Sequence, residues 1–175
     1  AEKILDAHNP NEWRTTGIDF TKGLCGTERR FVPFNGVYGA AQIEWLEERL
    51  KLAAANDQYV VICAHIPVLP AACDELCLAW DYEQVLNILA SSQANILAFL
   101  AGHDHNGGYG VQATAVEGSN IKRSPIHHIT LKGAVESTID ECHATLFCGR
   151  DDQKVTLRVV GPGAIHAFEA THDFS

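Results

Sequence analysis

The 175-residue sequence has no methionine, no long apolar run and few basic residues, with 13 lysines and arginines against 22 aspartates and glutamates. A membrane helix needs about 20 consecutive apolar residues, and no stretch approaches that length, so we expect no membrane partner. A net charge of −9 without a basic cluster argues against nucleic acid as a partner. The rest of the composition, 46% hydrophobic and 20% charged, predicts an ordinary globular protein.

The six cysteines are irregularly spaced in a chain longer than the small secreted folds that depend on disulfides. Cys63 and Cys148 lie in apolar runs, where a cysteine usually behaves as a small buried hydrophobe. Cys73 and Cys77 form a C-x3-C pair, which is permitted for a structural zinc ion if two further ligands are present. We expect reduced cysteines and a cytoplasmic location. An alternative function for the chain is that of a non-catalytic module stabilised by zinc.

The first residues indicate a chain that begins inside a larger unit. The run AEKILDA has the apolar pattern of a helix interior, with Ile4 and Leu5 but no capping residue before them. Residues 1–37 are otherwise rich in turn formers and poor in apolar positions, which predicts a loop-rich connecting segment on the surface.

Regular elements are predicted after this segment. Apolar residues spaced by three and four predict a helix over residues 39–55, whose buried face consists of Ile43, Leu46, Leu50 and Ala53. Short apolar runs at 59–64 and 96–101 predict strands buried on both faces, with a helix at 81–91 between them. Strands that alternate with helices are typical of the α/β class.

The last third of the sequence predicts short strands joined by turns, at residues 126–131, 144–148 and 155–160. Leu157 and Val159 alternate with polar neighbours, so this part is expected to be antiparallel and half exposed.

Histidines follow both of the predicted buried strands, His65 after the first and His103 and His105 after the second. Ligands bind beyond the carboxyl ends of strands in α/β sheets, so these side chains are expected at a functional edge. Gly102 is expected to make the turn, and an extended His-x-His segment would direct both imidazoles into one pocket. Neutral imidazole suits manganese, zinc and iron, so the pattern predicts a metal site.

Other aromatic and histidine residues have a structural interpretation. At least one of His127 and His128, which lie within a predicted strand, is expected to be structural. Trp80 and Tyr82, at the start of a predicted helix, are expected to pack in the core rather than to stack on a nucleic-acid base.

Two motifs together resemble a known family. AHIPVLP and, about 35 residues later, GHDHNGGY resemble the last two metal motifs of the calcineurin-like metallophosphoesterases. The runs HNPNEW, RRFVPFNG, DELCLAWDY and HHITLKGAVES extend the resemblance, over about residues 1–160, to the manganese-dependent ADP-ribose/CDP-alcohol diphosphatases.

The resemblance implies a fold, a metal content and ligands. The fold would be the C-terminal part of an α/β/β/α sandwich with mixed sheets and flanking helices. The complete enzyme would hold two divalent ions, manganese above all, with zinc, iron or magnesium as alternatives. His65 and His103 would bind the second metal and His105 the first. Tyr109, just beyond them, is a candidate substrate-binding residue.

The family's early motif series, D-x-H followed by G-D-x-x-D and G-N-H-[DE], does not occur in this sequence. The resemblance therefore implies that residues 38–175 are the C-terminal portion of the domain. The bridging aspartate and the proton donor would lie in an N-terminal half, so no catalytic residue is assigned in this chain. The parent enzyme would hydrolyse the pyrophosphate bond of ADP-ribose or CDP-alcohols, and the isolated chain would be inactive or nearly so. A subunit of a split phosphoesterase is the remaining alternative.

Overall fold

The computed structural model describes residues 1–114, 124–135, 138, 144–150 and 154–164, together with the backbone of 168–173. The helices are α1 (Glu2–His8), α2 (Ala40–Ala55) and α3 (Tyr82–Ser91), with short 3-10 turns at Gly26–Arg30, Pro70–Ala72 and Glu75–Cys77. The strands are β1 (Tyr59–Cys63), β2 (Asn95–Ala101), β3 (Gly108–Gln112), β4 (Ile126–Thr130), β5 (Thr145–Arg150), β6 (Lys154–Val160) and β7 (Phe168–Asp173). No helix among these residues is long and apolar enough to cross a bilayer.

The main sheet has the strand order β1-β2-β4-β3. Strands β1, β2 and β4 run parallel, and β3 pairs antiparallel with β4 at the far edge. Helices α2 and α3 cover one face, where Ile43, Leu50 and Val85 are buried against Phe99 of β2. The predicted α/β class and the buried face of the first long helix are thereby confirmed.

The second sheet, β5-β6-β7, is antiparallel and packs on the other face of the main sheet. Val155, Leu157 and Val159 of β6 point into this interface, whereas Arg158 is exposed. The predicted alternation is confirmed, because every second residue of a strand faces the same side. The described residues thus form helix, sheet and sheet layers of the expected sandwich.

The position of a strand within its sheet explains why several strands are more or less buried than the sequence predicts. Strand β2 is buried along most of its length, as predicted, but β1 is only half buried and its Cys63 is exposed. Cys148 of β5 is exposed as well. Within the described residues, β1 and β5 each pair with only one other strand. The apolar sequence around each cysteine is therefore not enough to bury it. Strand β4 was expected to be half exposed and antiparallel. It pairs antiparallel with β3, but it is a mostly buried inner strand that also pairs in parallel with β2.

The segment of residues 1–37 is less superficial than expected. Helix α1 confirms the helical pattern of the first residues, and its Leu5 is buried with Phe31 and Trp80. The Trp80 indole N–H donates to the Arg30 carbonyl at 2.7 Å. The end of the segment is therefore part of the folded domain, because a distant tryptophan packs and hydrogen-bonds there. The boundary at residue 37 remains a prediction.

His128 is a structural residue, as expected for one of the β4 histidines, and Trp80 and Tyr82 are buried as predicted. The His128 ring is 2% exposed and stacks on Phe99 at 5.3 Å between centroids. The Gln112 amide nitrogen donates to the Leu86 carbonyl, so its oxygen accepts from His128 Nε2 at 3.0 Å. Nδ1 has no partner in the part of the chain that is described. Burial, and next the charge of His127, lowers the pKa of His128 from 6.5 to about 4.

This shifted pKa predicts a specific pH dependence of stability. As pH falls below about 6.5, the unfolded chain binds a proton at His128 that the folded chain accepts only near pH 4. The free energy of unfolding should therefore decrease across this window by on the order of 3 kcal/mol. Urea unfolding at several pH values measures the decrease. The variant His128→Phe should flatten the curve, and parallel curves for the two proteins would contradict this origin.

Candidate metal centre

His65 and His103 meet because their strands are neighbours in the sheet. Beyond the strand ends, the Ala64 N–H donates to the Leu100 carbonyl at 2.9 Å and the Gly102 N–H to the His65 carbonyl at 3.0 Å. These bonds continue the parallel pairing of β1 with β2 as far as the histidines. The two imidazole centroids lie 5.1 Å apart, at an interplanar angle of 68°. The structure thus brings this predicted pair together.

All three predicted ligands line one cavity. It has a volume of about 480 Å³ and is bounded by residues 63–65, 100–103, 105 and 131–135. Lys132 is the one lysine, arginine or carboxylate residue among these lining positions. The cavity is therefore a place where imidazoles and an ammonium group face the same space.

The backbone at the His-x-His motif differs from the expected extended segment. His103 has a φ of 67°, in the left-handed region that glycine occupies more readily, while the expected turn residue Gly102 is not in that region. Asp104, which is buried, accepts hydrogen bonds from the backbone N–H groups of Asp74 at 2.6 Å and Asn106 at 3.0 Å. These bonds stabilise a turn between His103 and His105. The two histidines therefore reach the same cavity through this turn, and not because they alternate along an extended strand.

His105 is positioned by the loop that follows β4. The Gly133 N–H donates to the His105 carbonyl at 3.1 Å. A Cβ atom at Gly133 would lie only 2.4 Å from Cγ of the His105 ring, so glycine is required for this approach. The GHDHNGGY and HHITLKGAVES motifs are therefore adjacent in space as well as parts of one sequence pattern.

Asn35 is a site residue that the sequence reasoning missed. Its side-chain oxygen lies 2.6 Å from Nε2 of His103. Asn35 belongs to the RRFVPFNG run, which was the one available signal, but an Asn-Gly pair in a turn-rich segment is ordinarily interpreted as a turn. Burial lowers the pKa of His103, with smaller contributions from His65 and His105 and an opposing one from Asp104. A lowered pKa favours the neutral, ligating form of the imidazole.

The donor set fits part of a metal shell. Within the described ranges, no three histidine, cysteine, aspartate or glutamate side chains converge closely enough to hold a metal ion. His65 and His103 converge as a pair, whereas both carboxylate oxygens of Asp104 are engaged by backbone N–H groups. The described cavity therefore offers imidazole nitrogens, but no carboxylate residue is among its lining residues.

Tyr109 does not line the histidine cavity. Its hydroxyl lies 2.9 Å from Nδ1 of His127, and its ring packs on the face of the main sheet that meets β6. Substrate binding by Tyr109 therefore stays a prediction.

The cysteine pair does not favour the zinc alternative. Burial, and next the charge of Asp104, raises the pKa of Cys73 to about 12 and that of Cys77 to about 11. A structural zinc ion needs four ligands, and among the described residues no third histidine, cysteine, aspartate or glutamate side chain converges on this pair.

The contact at Gly133 can be tested directly. In the Gly133→Ala variant, the His105 ring must move, so its imidazole ¹H–¹³C signals should shift. Gly102→Ala is the matched control from the same cavity, because its Cβ would lie at an ordinary 3.7 Å from Nδ1 of His65. Unchanged His105 signals in Gly133→Ala would show that Gly133 does not determine the ring position.

The chain matches known proteins in sequence and in fold, although no family model matches it. It is 38% identical to the manganese-dependent ADP-ribose/CDP-alcohol diphosphatase of Danio rerio, over 77% of this chain and 38% of that protein. The human protein of the same name is 37% identical, over 79% of this chain and 35% of its own length. A crystal structure of a dimetal phosphatase from Danio rerio superposes with a TM-score of 0.72 at 32% identity, covering 99% of this chain and 49% of that one.

The sequence match and the fold match agree, and both extend over most of this chain. This chain spans less than half the length of the proteins that it matches. Over most of its length, the chain is similar to the manganese-dependent ADP-ribose/CDP-alcohol diphosphatases.

Proposed function

We propose that this chain supplies the histidine ligands of a two-metal site in an enzyme that hydrolyses the pyrophosphate bond of nucleoside diphosphate compounds such as ADP-ribose or CDP-alcohols. The observation that carries the proposal is the convergence of His65 and His103, at 5.1 Å between centroids, in the cavity that His105 also lines. Relatives at 37–38% identity carry the name of this activity.

The side chains in the cavity suit this chemistry. His65 and His103 present imidazole nitrogens from two adjacent loops, and His105 adds a third from the far side of a turn. Bound manganese, or zinc, iron or magnesium in its place, would polarise the phosphate oxygens and lower the pKa of a bound water. Lys132 faces the same cavity and would offset phosphate charge in a chain with a net charge of −9.

The oxygen ligands are proposed to come from outside this chain, either from a further part of the same polypeptide or from a partner subunit. No aspartate or glutamate is among the lining residues of the described cavity. Beside it, a cavity of about 240 Å³ between α2 and β1 is lined mostly by apolar side chains, together with Gln42 and His65. Trp45 borders that cavity and is 56% exposed. The complementing half is proposed to dock on this apolar surface, next to the metal ligands.

A cytoplasmic location is part of the proposal. The described cysteines are free thiols, namely Cys25, Cys63, Cys73, Cys77 and Cys148. Unpaired cysteines are typical of a reducing compartment.

A chimera tests the function. The matching segment of the Danio rerio relative would be replaced by this chain, and manganese-dependent hydrolysis of ADP-ribose would be measured. We expect turnover by the chimera and a loss of about 100-fold or more in His103→Ala, because a metal ligand is removed. The exposed β3 variant Val111→Ala is the control and should retain turnover.

Three outcomes are informative. A folded chimera without turnover would contradict the proposed reaction. Enzyme-like turnover by the isolated chain would contradict the proposal that the site is shared with another segment. Loss of bound metal in Cys73→Ala would favour the zinc-stabilised module, because only that module uses the cysteine as a ligand.

A further inference from the structure

The Asn35 side chain is locked in one orientation. It is 9% exposed, and its amide nitrogen donates to the carbonyl oxygens of Arg30 at 2.9 Å, Leu76 at 2.5 Å and Leu78 at 3.1 Å. Exchanging the amide nitrogen and oxygen would place the oxygen against three carbonyls, with no donor among them. The amide oxygen must therefore be the atom that faces His103.

This orientation determines where His103 carries its hydrogen. An amide oxygen only accepts hydrogen bonds, so the 2.6 Å contact with His103 requires a hydrogen on Nε2. A neutral imidazole carries one N–H, which leaves the lone pair of Nδ1 available. A metal-bound histidine usually donates its other ring N–H to an oxygen acceptor, which fixes the ring and its tautomer.

The bond also holds a backbone that is unfavourable by itself. His103 has a φ of 67°, in the left-handed region that is unfavourable for a non-glycine residue. Asn35 links this residue to the backbone of the segment before α2, at Arg30, and to the backbone of the loop before α3, at Leu78. The side chain therefore braces the left-handed turn against two other parts of the fold.

We propose that Asn35 is a positioning residue that holds His103 as its Nε2–H tautomer and presents Nδ1 of that ring to the metal. The proposal rests on the proposed function only in its second part, the binding of metal at Nδ1. The hydrogen bond itself can be observed in the isolated chain without metal. Asn35 acts through His103 and does not itself contact the metal or the substrate.

Two substitutions separate positioning from a purely structural role. Asn35→Leu removes the acceptor and the donor, whereas Asn35→Asp keeps an acceptor oxygen and loses only the donor. A residue that matters solely as an anchor for the three carbonyls would be impaired in both variants, and more in Asn35→Asp, whose second oxygen would face those carbonyls. A residue that positions His103 would be rescued in Asn35→Asp. Trp80→Phe is the matched control, because it removes a different hydrogen bond to the same Arg30 carbonyl.

The first measurement is a long-range ¹H–¹⁵N spectrum of the isolated chain without metal. We expect a slowly exchanging Nε2–H signal for His103 in the wild type, in Trp80→Phe and in Asn35→Asp, and its loss in Asn35→Leu. The signal should persist when Zn²⁺, a diamagnetic probe, shifts the Nδ1 resonance. Loss of the Nε2 hydrogen on addition of Zn²⁺ would overturn the proposal, as would identical spectra for Asn35→Asp and Asn35→Leu.

The second measurement is a Mn²⁺ titration followed by paramagnetic broadening of the His103 ring signals. Asn35→Leu should require at least about 10-fold more Mn²⁺ for half broadening, while Trp80→Phe should match the wild type. Wild-type-like Mn²⁺ binding in Asn35→Leu would overturn the positioning role of Asn35 but would leave the proposed function intact. Absence of broadening in every protein, wild type included, would instead contradict the proposed function.

Discussion

The parallel pairing of β1 with β2 is the constraint on which the rest of the site depends. Cys63 pairs with Leu100, and the hydrogen bonds continue past the strand ends until the Gly102 N–H reaches the His65 carbonyl. Two histidines 38 positions apart in sequence are thereby brought to 5.1 Å between ring centroids. Parallel strands end at the same edge of a sheet, so the loop that follows β1 lies next to the loop that follows β2.

Loops from outside the sheet complete the cavity. Gly133 allows the segment after β4 to lie against the His105 ring, and Asp104 ties the turn between the two motif histidines to the loop before α3. Close packing of the same kind holds that loop on the sheet, where a Cβ at Gly108 would lie 2.1 Å from the Ala72 carbonyl oxygen. Gly108 and Gly133 thus act through close approach between segments, which is a different reason from the turn expected at Gly102.

Much of this arrangement could be predicted from the sequence, because it depends on local patterns. A continuous apolar run predicts a buried strand such as β2, and a histidine directly after it is then located by the carboxyl-end rule. Exposure of Cys63 and Cys148 could not be predicted, since the residues of a strand do not tell whether it lies inside a sheet or at its edge. Asn35 could not be identified as a site residue from the sequence for a related reason. Its side chain is oriented by carbonyl groups that lie 41 and 43 positions away in sequence.

The proposed function requires that this chain contribute imidazole ligands to a metal site at the β1–β2 edge. Anomalous diffraction at the manganese edge, from crystals of the chimera grown with Mn²⁺, tests this requirement most directly. We expect an anomalous peak within bonding distance of an imidazole nitrogen of both His65 and His103. Manganese peaks that are remote from both rings, or that lie at Cys73 and Cys77, would contradict it.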